Sequence, residues 1–216
     1  MHKAGFVTIL GNPNVGKSTL MNQLMGERLS IITQKAQTTR HRILGIISEK
    51  NYQIIFSDTP GVIKPYHSLH EAMMRFVHNS LEDADVILYM VDSSKEELKD
   101  VTFLEKIQSF KIPIILLINK VDLIKQEEVN VLIDYWSSKL PKAILIPVSA
   151  LKKFNIDRIK NEILNLIPAS PAYFPKDTMT DKSERFIVSE IVREKILERY
   201  KQEIPYSVEV VVNSFK

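Results

Sequence analysis

The sequence contains no cysteine, which excludes a disulfide framework and thiol chemistry. No apolar run approaches about 18 residues, the length that a membrane-spanning helix requires, so no membrane span is expected. An excess of one charge is also missing, because the formal net charge is only +3 over 216 residues. A charge of this size does not by itself indicate a nucleic-acid partner.

The composition that is present, 44% apolar and 25% charged, is typical of a soluble globular protein. The length allows one α/β domain plus a smaller piece. The first five residues lead directly into a strand predicted over residues 6–10, which leaves no room for a signal peptide. We therefore expect a protein of the cytoplasm.

A glycine-rich motif at residues 11–19, Gly-Asn-Pro-Asn-Val-Gly-Lys-Ser-Thr, fits the phosphate-binding P-loop pattern. The apolar run before it predicts a buried strand, and the run over 18–26 predicts a helix, which is the context that a P-loop requires. In such a loop, backbone N–H groups surround the β-phosphate, Lys17 reaches the β- and γ-phosphates, and Ser18 offers its hydroxyl to Mg²⁺. A glycine-rich turn that binds nothing is the alternative interpretation.

A second motif, Asp-Thr-Pro-Gly at residues 58–61, follows a strand predicted over 52–57. An aspartate at the carboxyl end of a strand beside the P-loop would hold Mg²⁺ through water. The backbone N–H of Gly61 would then sense the γ-phosphate. An ordinary Pro-Gly turn is the alternative for this motif alone, but its pairing with the P-loop favours a nucleotide site.

A third motif, Asn-Lys-Val-Asp at residues 119–122, follows a strand predicted over 112–118. The Asp122 carboxylate can accept hydrogen bonds from both N1–H and the amino group of guanine. Adenine offers an acceptor at N1 and would leave the carboxylate unpaired, which costs about 1–3 kcal/mol or more. Lys120 can pack its stem across the base, and Asn119 would tie this loop to the P-loop. The motif therefore predicts a preference for guanine.

Two further loops complete the predicted site. Residues 28–42 are polar and are predicted as an exposed, mobile loop that carries Thr38 and Thr39. Residues 149–151, Ser-Ala-Leu, follow the last predicted strand, and the backbone N–H of Ala150 is expected to contact the guanine O6.

The rest of the chain alternates between strand and helix patterns. Strands are predicted over residues 43–48, 86–91 and 143–148, and helices over 69–81, 96–110, 127–140 and 155–167. This alternation predicts a doubly wound α/β domain, with a mostly parallel sheet and helices on both faces.

In this order, the motifs at 11–18, 38–39, 58–61, 119–122 and 149–151 resemble the five G-motifs of small GTP-binding proteins. The sequence is more closely similar to the bacterial Era family, whose pattern includes the P-loop residues, Gln-Thr-Thr-Arg-His-Arg at 37–42, and Asp-Thr-Pro-Gly. Residues 183–186 and 204–208 also look like the start of the second domain of that family. The resemblance covers essentially the whole chain.

The resemblance implies a GTPase that acts in small (30S) ribosomal subunit assembly and 16S rRNA processing and binds the 3′ end of 16S RNA through a KH domain. It implies a GTPase domain over residues 1–167, a linker over 168–180, and an incomplete KH domain over 181–216. It also implies peripheral association with the inner membrane. GTP or GDP and Mg²⁺ are the implied ligands, with K⁺ as a further expectation.

The KH prediction has a specific limit in the sequence. A KH domain clamps the nucleic-acid backbone with a Gly-x-x-Gly loop, and no glycine follows Gly61. Residues 181–216 contain seven basic and seven acidic residues and carry no net positive charge. The sequence therefore gives no support for RNA binding by these 216 residues alone.

The resemblance assigns roles to individual residues. The predicted catalytic residues are Lys17, Thr39 and Gly61, and the predicted metal ligands are Ser18, Thr39 and Asp58. The predicted nucleotide-binding residues are Gly11, Asn12, Asn14, Val15, Gly16, Lys17, Ser18, Thr19, Asp58, Thr59, Gly61, Asn119, Lys120, Asp122, Ser149, Ala150 and Leu151.

Two positions depart from the better-known small GTPases. Val62 stands where those proteins have a glutamine that orients the attacking water, so we expect slow intrinsic turnover, with the water placed by backbone groups or a partner. Asn14 stands where relatives use an amide to help hold K⁺. The alternative for Asn14 is a turn geometry with positive φ, which asparagine tolerates.

Two other functions remain open from the sequence. One is an ATPase of the same fold, which the carboxylate at Asp122 disfavours. The other is a nucleotide-regulated RNA-binding module with little hydrolysis of its own.

The C-terminal part of the sequence carries two patterns. Three prolines within residues 168–175 favour an extended, semi-rigid connector. The helix that follows places Val188, Val192, Ile196 and Tyr200 at four-residue spacing. This stripe predicts core packing, with exposure or pairing with a second copy as the alternatives.

Overall fold

The computed structural model describes residues 1–63, 65–66, 68–94, 105, 107–200 and 208–214. Within these residues the strands are β1 Lys3–Gly11, β2 Ile43–Ser48, β3 Tyr52–Asp58, β4 Val86–Asp92, β5 Ile114–Asn119 and β6 Ile144–Pro147. The helices are α1 Lys17–Met25, α2 Ser68–Glu82, α3 Gln126–Lys139, α4 Ile156–Leu166 and α5 Glu184–Arg199, with a short 3₁₀ helix at Val121–Leu123.

The strands form one sheet in the order β2-β3-β1-β4-β5-β6. Strands β2 and β3 are antiparallel and joined by a tight turn, in which the Glu49 N–H donates to the Tyr52 carbonyl at 2.8 Å. All other neighbours in the sheet are parallel. The carboxyl ends of β1, β3, β4, β5 and β6 therefore lie at one edge, where an open α/β sheet places its ligand site.

Helices cover both faces of the sheet because successive residues of a buried strand face opposite sides. In β4, Leu88 and Met90 belong to a core cluster that includes residues of α1 and α4. Their neighbours Ile87 and Tyr89 belong to a second cluster that includes residues of α2 and α3. The predicted doubly wound fold is confirmed.

Most element bounds agree with the sequence patterns to within a few residues. The β2 prediction matches both ends, and the helix predicted over 96–110 lies largely outside the described residues. Among the residues that are described, no helix has the length and apolar character needed to cross a membrane.

The segment predicted as a linker, residues 168–180, lies along the sheet and turns at residues 175–178. The N–H of Ala4 donates to the Pro168 carbonyl at 3.2 Å, and the amide of Gln53 bonds the backbone of Phe174. Further along, the N–H of Ile46 donates to the Met179 carbonyl at 2.8 Å. These contacts attach the segment to the sheet and fix the start of α5 relative to it.

The apolar stripe predicted as core on α5 is not the buried face of that helix. Val192 is 44% exposed and Tyr200, directly after the helix, is 51% exposed, whereas Val188 and Ile196 are half-buried. The buried residues of α5 are instead Glu190, Arg193, Glu194 and Leu197. The pattern misled because this helix packs against a loop with polar backbone groups, not against an apolar surface. Whether residues 181–216 begin a KH domain stays a prediction.

Candidate functional site

A cavity of about 830 Å³ lies at the carboxyl ends of the parallel strands, and we call it the strand-end cavity. Its lining includes most of the predicted site: Asn14, Gly16, Lys17, Ser18, Thr19, Thr39, Gly61, Asn119, Lys120, Asp122, Ser149, Ala150 and Leu151. Gly11, Asn12, Val15, Asp58 and Thr59 do not line it. Five segments that are far apart in sequence thus meet in one opening.

The loop between β1 and α1 forms the floor of this cavity. Gly16 precedes α1 with φ 107°, and a Cβ there would lie 2.3 Å from the Asn119 amide nitrogen, so only glycine fits. Lys17 is 6% exposed, and its ammonium donates to the carbonyls of Gly11 at 3.0 Å and Asn12 at 2.8 Å. Gly61 packs so closely that a Cβ would come within 2.8 Å of Pro13 in the same loop.

Three oxygen-bearing side chains converge beside Lys17. The Ser18 hydroxyl donates to Asp58 Oδ2 at 2.8 Å, and it lies 2.9 Å from the Thr39 hydroxyl. Asp58 is fully buried, and within the described residues its Oδ1 and the Ser30 hydroxyl make no hydrogen bond. Burial raises the pKa of Asp58, although the hydrogen bond from Ser18 and the charge of Lys17 act in the opposite direction.

Asn119 joins the opposite wall of the cavity to the floor. Its Nδ2 donates to the Val15 carbonyl at 2.7 Å, as the sequence predicted, and its Oδ1 accepts from the N–H of Ala150 at 2.9 Å. The expected contact of the Ala150 N–H with guanine O6 stays a prediction, and in this structure Asn119 accepts from that N–H. The amide of Asn119 holds three loops in register.

Asp122 and Lys120 flank this junction. Asp122 lies exposed in the 3₁₀ helix and lines the cavity. Lys120 has φ 67°, and its ammonium lies 2.6 Å from Asp92 Oδ2. Burial disfavours the charged form of Asp92, but hydrogen bonds from Lys120 and Ser94 outweigh it and hold the pKa of Asp92 below its ordinary value.

The side chains of two predicted nucleotide-binding residues point away from the cavity, and a contact through their backbone stays a prediction. Thr59 is fully buried, and its hydroxyl donates to the Ile9 carbonyl at 2.7 Å, so its side chain braces the loop onto β1 and does not reach the cavity. Val15 is also fully buried, and its contribution is the carbonyl that Asn119 engages.

The loop over residues 28–42 is not the exposed segment that its polarity predicted. Leu29, Ile31, Thr38 and Thr39 are at most 9% exposed. Hydrogen bonds within the loop stabilise it, since Thr38 Oγ1 lies 2.7 Å from Thr33 Oγ1 and donates to the Lys35 carbonyl. It therefore forms a wall of the strand-end cavity.

Some lining residues gave no signal in the sequence. The loop contributes Ile31, Ile32, Thr33, Gln34, Lys35 and Gln37, and the end of α5 contributes Leu197 and Glu198. Leu197 and Glu198 lie outside every recognised motif, so only the three-dimensional contact reveals them.

The sheet order, the glycine loop before α1 and the Asn-Lys-x-Asp wall define a P-loop GTPase domain. A family model described as a 50S ribosome-binding GTPase matches residues 6–120. The whole chain is 43% identical to GTPase Era of Alkaliphilus metalliredigens, of which it covers 73%, and the chain belongs to the Era family. It is also 48% identical to chloroplastic GTPase ERA1 of Zea mays, and it spans about half the length of that relative (53%).

Solved structures agree with this assignment. The fold matches Era in complex with MgGDPNP and nucleotides 1506–1542 of 16S ribosomal RNA, with a TM-score of 0.91 and 42% identity over 96% of this chain and 71% of that chain. It also matches a variant of Aquifex aeolicus Era bound to GDP.AlF4-, with a TM-score of 0.90 and 42% identity over 95% of this chain and 70% of that chain.

Proposed function

We propose that this chain binds guanine nucleotide together with Mg²⁺ in the strand-end cavity and hydrolyses GTP to GDP and phosphate. One observation carries the proposal: the cavity that Asp122 lines also opens onto Lys17 and the Ser18–Thr39 hydroxyl pair. A base recognised at one end and phosphates held at the other require both sets in a single opening.

Asp122 selects the base in this proposal. As a carboxylate it accepts from N1–H and the amino group of guanine, and charge-assisted bonds of this kind are about twice as strong as neutral ones. Asn119 keeps the Asp122 loop against the P-loop through the bond to Val15. Competition between labelled GTP and unlabelled ATP tests this point. Displacement of GTP by ATP at similar concentrations would favour an ATPase of the same fold instead.

The residues around Asp58 fit a magnesium ion. The buried Oδ1 of Asp58 has no hydrogen-bond partner among the described residues, and hydroxyl and carboxylate oxygens are the ligands that Mg²⁺ accepts. Ser18 and Thr39 would hold the ion directly, and Asp58 through water. When bound, Mg²⁺ neutralises charge on the β- and γ-phosphate oxygens. The 2.9 Å contact with Ser18 favours Thr39 over Thr38, whose hydroxyl is engaged within the loop.

Phosphate positioning falls to Lys17 and to the loop backbone. The two carbonyls that Lys17 contacts are neutral acceptors, so phosphate oxygens would compete for its ammonium with stronger, charge-assisted bonds. The N–H of Gly61 would contact the γ-phosphate from the opposite side, because Gly61 packs directly against Pro13 of the P-loop.

Intrinsic hydrolysis is slow in this proposal. The Val62 side chain is 7% exposed within the second core cluster, and its N–H donates to the Gly11 carbonyl at 3.1 Å, so this residue contributes no side-chain group for the attacking water. Backbone groups or a partner would place that water. Single-turnover measurement of this chain alone tests the point, and a rate equal to that of a partner-stimulated GTPase would contradict it.

A K⁺ ion at Asn14 is a finer part of the proposal. Asn14 has φ 66°, which fits the turn alternative, and its Nδ2 donates to the Gln34 carbonyl at 2.8 Å. Its side-chain oxygen is the atom that would contact the ion. We expect turnover to fall when K⁺ is replaced by Na⁺, and unchanged turnover would remove K⁺ from the account.

We also propose a role of the protein in 30S subunit assembly through 16S RNA. The support is the similarity of this chain to Era bound to 16S RNA nucleotides, with 42% identity over 96% of this chain. The family model is described only as a 50S ribosome-binding GTPase and matches residues 6–120. A gel shift of this chain with that 16S segment should show no binding. Binding without nucleotide dependence would favour the RNA-module alternative.

The compartment is also a proposal. The bacterial relatives support a cytoplasmic protein, with peripheral association at the inner membrane as the family resemblance implies. Cell fractionation with a salt wash tests it, since a peripheral protein is released by salt and an inserted one is not.

Direct titration tests the central part of the proposed function. A fluorescent GDP analogue should bind with one site per chain, and Mg²⁺ should tighten binding of a GTP analogue. Absence of binding under both conditions would overturn the proposal.

A further inference from the structure

The inward face of α5 is charged, although it is buried. Glu190, Arg193 and Glu194 are 7%, 3% and 0% exposed, while the apolar Ile191 and Val192 of the same helix lie exposed. Buried charges are costly unless each one is paired and hydrogen-bonded. An inward face of this kind is suited to holding polar groups, and the groups it holds belong to the loop over residues 28–42.

Two charged side chains of α5 bind the backbone of that loop. Arg193 donates through Nη2 to the Thr38 carbonyl at 2.5 Å. Glu190 holds the same guanidinium with two bonds, at 2.7 Å to Nε and 2.6 Å to Nη2, and so fixes its orientation. Nearer the end of the helix, Glu194 accepts from the Ile32 N–H at 2.9 Å and pairs with Arg28.

The contact at Thr38 acts on the next residue through covalent geometry. The carbonyl of Thr38 and the N–H of Thr39 belong to one planar peptide unit, so an oxygen held by Arg193 fixes the plane from which Thr39 extends. Thr39 places its hydroxyl 2.9 Å from the Ser18 hydroxyl. We propose that Arg193, oriented by Glu190, is a positioning residue that holds Thr39 at the metal position of the strand-end cavity.

This inference rests on the proposed function and adds a specific consequence. Thr39 serves the metal when the γ-phosphate is present, so a residue that positions Thr39 strengthens binding of the triphosphate more than binding of the diphosphate. Coupling between sites is reciprocal, so triphosphate binding also stabilises the contact of α5 with the loop. The contact between α5 and the loop is therefore more stable with the triphosphate bound than with the diphosphate.

The test compares the affinities of a nonhydrolysable GTP analogue and of GDP, each with and without Mg²⁺. Arg193→Met should weaken Mg²⁺-dependent binding of the analogue by about tenfold, within the usual range of site-to-site coupling, while GDP affinity changes less than about twofold. Arg185→Met, which removes the same charge from an exposed position of α5, should leave both affinities unchanged.

A second variant keeps the test decisive if Arg193→Met leaves Glu190 unpaired and unfolds the protein. The double variant Glu190→Gln/Arg193→Met removes both charges and should show the same selective loss. Equal weakening of GTP analogue and GDP in a folded variant, or no weakening of either, would overturn the positioning role. Failure of the unchanged protein to bind GDP would instead overturn the proposed function, and the inference with it.

Discussion

In the proposed function, Asp58 is the residue on which magnesium binding depends. It is the fully buried carboxylate beside Ser18, and one of its oxygens has no hydrogen-bond partner among the described residues. An amide in its place keeps the size and removes the charge that a magnesium-bound water would contact. This substitution thus separates the effect of packing at position 58 from the effect of metal binding.

We predict that Asp58→Asn removes most of the effect of Mg²⁺ on binding of a GTP analogue. Losing one charge-assisted contact costs about 1.5–3 kcal/mol, which is about tenfold or more in affinity. Titrations with a fluorescent analogue with and without Mg²⁺ measure the effect. Asp134→Asn, an exposed carboxylate on α3, is the control. A full Mg²⁺ effect in the Asp58 variant would place the metal elsewhere.

At the scale of elements, the structure depends on side chains that join one loop to another. Asn119 at the end of β5 is the clearest example, because one amide bonds both the loop after β1 and the loop after β6. It is 3% exposed, so each of its partners would be left unpaired and buried if the amide were removed.

We predict that Asn119→Ala lowers the free energy of unfolding by about 1–3 kcal/mol and weakens GDP binding by about tenfold. The backbone groups of Val15 and Ala150 lose their buried partner, and the base loop is no longer held at the P-loop. Denaturant unfolding and GDP titration measure the two effects. Asn130→Ala on the exposed face of α3 should change neither. A stable Asn119 variant with normal affinity would contradict the joining role.

His41 joins three elements through ring contacts. Its ring centroid lies 6.0 Å from that of Phe76 on α2 and 5.6 Å from that of Phe186 on α5, and His41 itself lies in the loop that carries Thr39. Partial burial lowers the pKa of His41 below its ordinary value of 6.5; the charge of Glu190 opposes this effect, and those of Lys182, Arg193 and Arg40 add to it.

We predict that this histidine lowers the free energy of unfolding as the pH falls. With a folded pKa below the unfolded one, the unfolded state takes up the proton first, so stabilisation present above pH of about 6.5 is lost as the pH falls toward the folded pKa. Denaturant unfolding at pH 7.5 and 5.5 should show a smaller difference for His41→Phe than for the unchanged protein. Equal differences in the two proteins would rule out a contribution from His41.

The elements also show how far the sequence could be interpreted by itself. Strand β2 was predicted with both of its ends, because its apolar run is bounded by a polar loop and a tight turn. The buried face of α5 was missed because apolar spacing identifies a core-facing helix only when the opposing surface is apolar. Here the opposing surface is the backbone of a loop, which Arg193 and Glu194 bind.

The site divides in the same way. Motif residues such as Lys17 and Asn119 were found because their chemistry requires a fixed spacing. The position of Leu197 in the cavity lining and the hydrogen bond from the Ala150 N–H to Asn119 depend on how distant segments meet. No local sequence pattern encodes such contacts. Thr39 could be ranked above Thr38 only weakly in the sequence, and its distance to Ser18 now supports that ranking.

At the scale of the whole molecule, one sheet with helices on both faces places two groups of loops at the carboxyl ends of its strands. In the proposed function, the loops after β1 and β3 bind the phosphates and the metal, and the loops after β5 and β6 bind the base. The segment over residues 168–180 follows the sheet back to α5, which closes on the loop between α1 and β2. Nucleotide recognition and the position of α5 are therefore parts of one arrangement.

The most direct test exchanges the nucleotide base recognised by Asp122. Asp122→Asn should lower affinity for GTP by about 100-fold, because two charge-assisted bonds to guanine are lost, and should create a preference for xanthosine triphosphate, whose carbonyl accepts from the new amide. Asp157→Asn, an exposed carboxylate on α4, should keep the original preference. An Asp122→Asn protein that still prefers GTP over xanthosine triphosphate would show that the base is recognised elsewhere and would contradict this account.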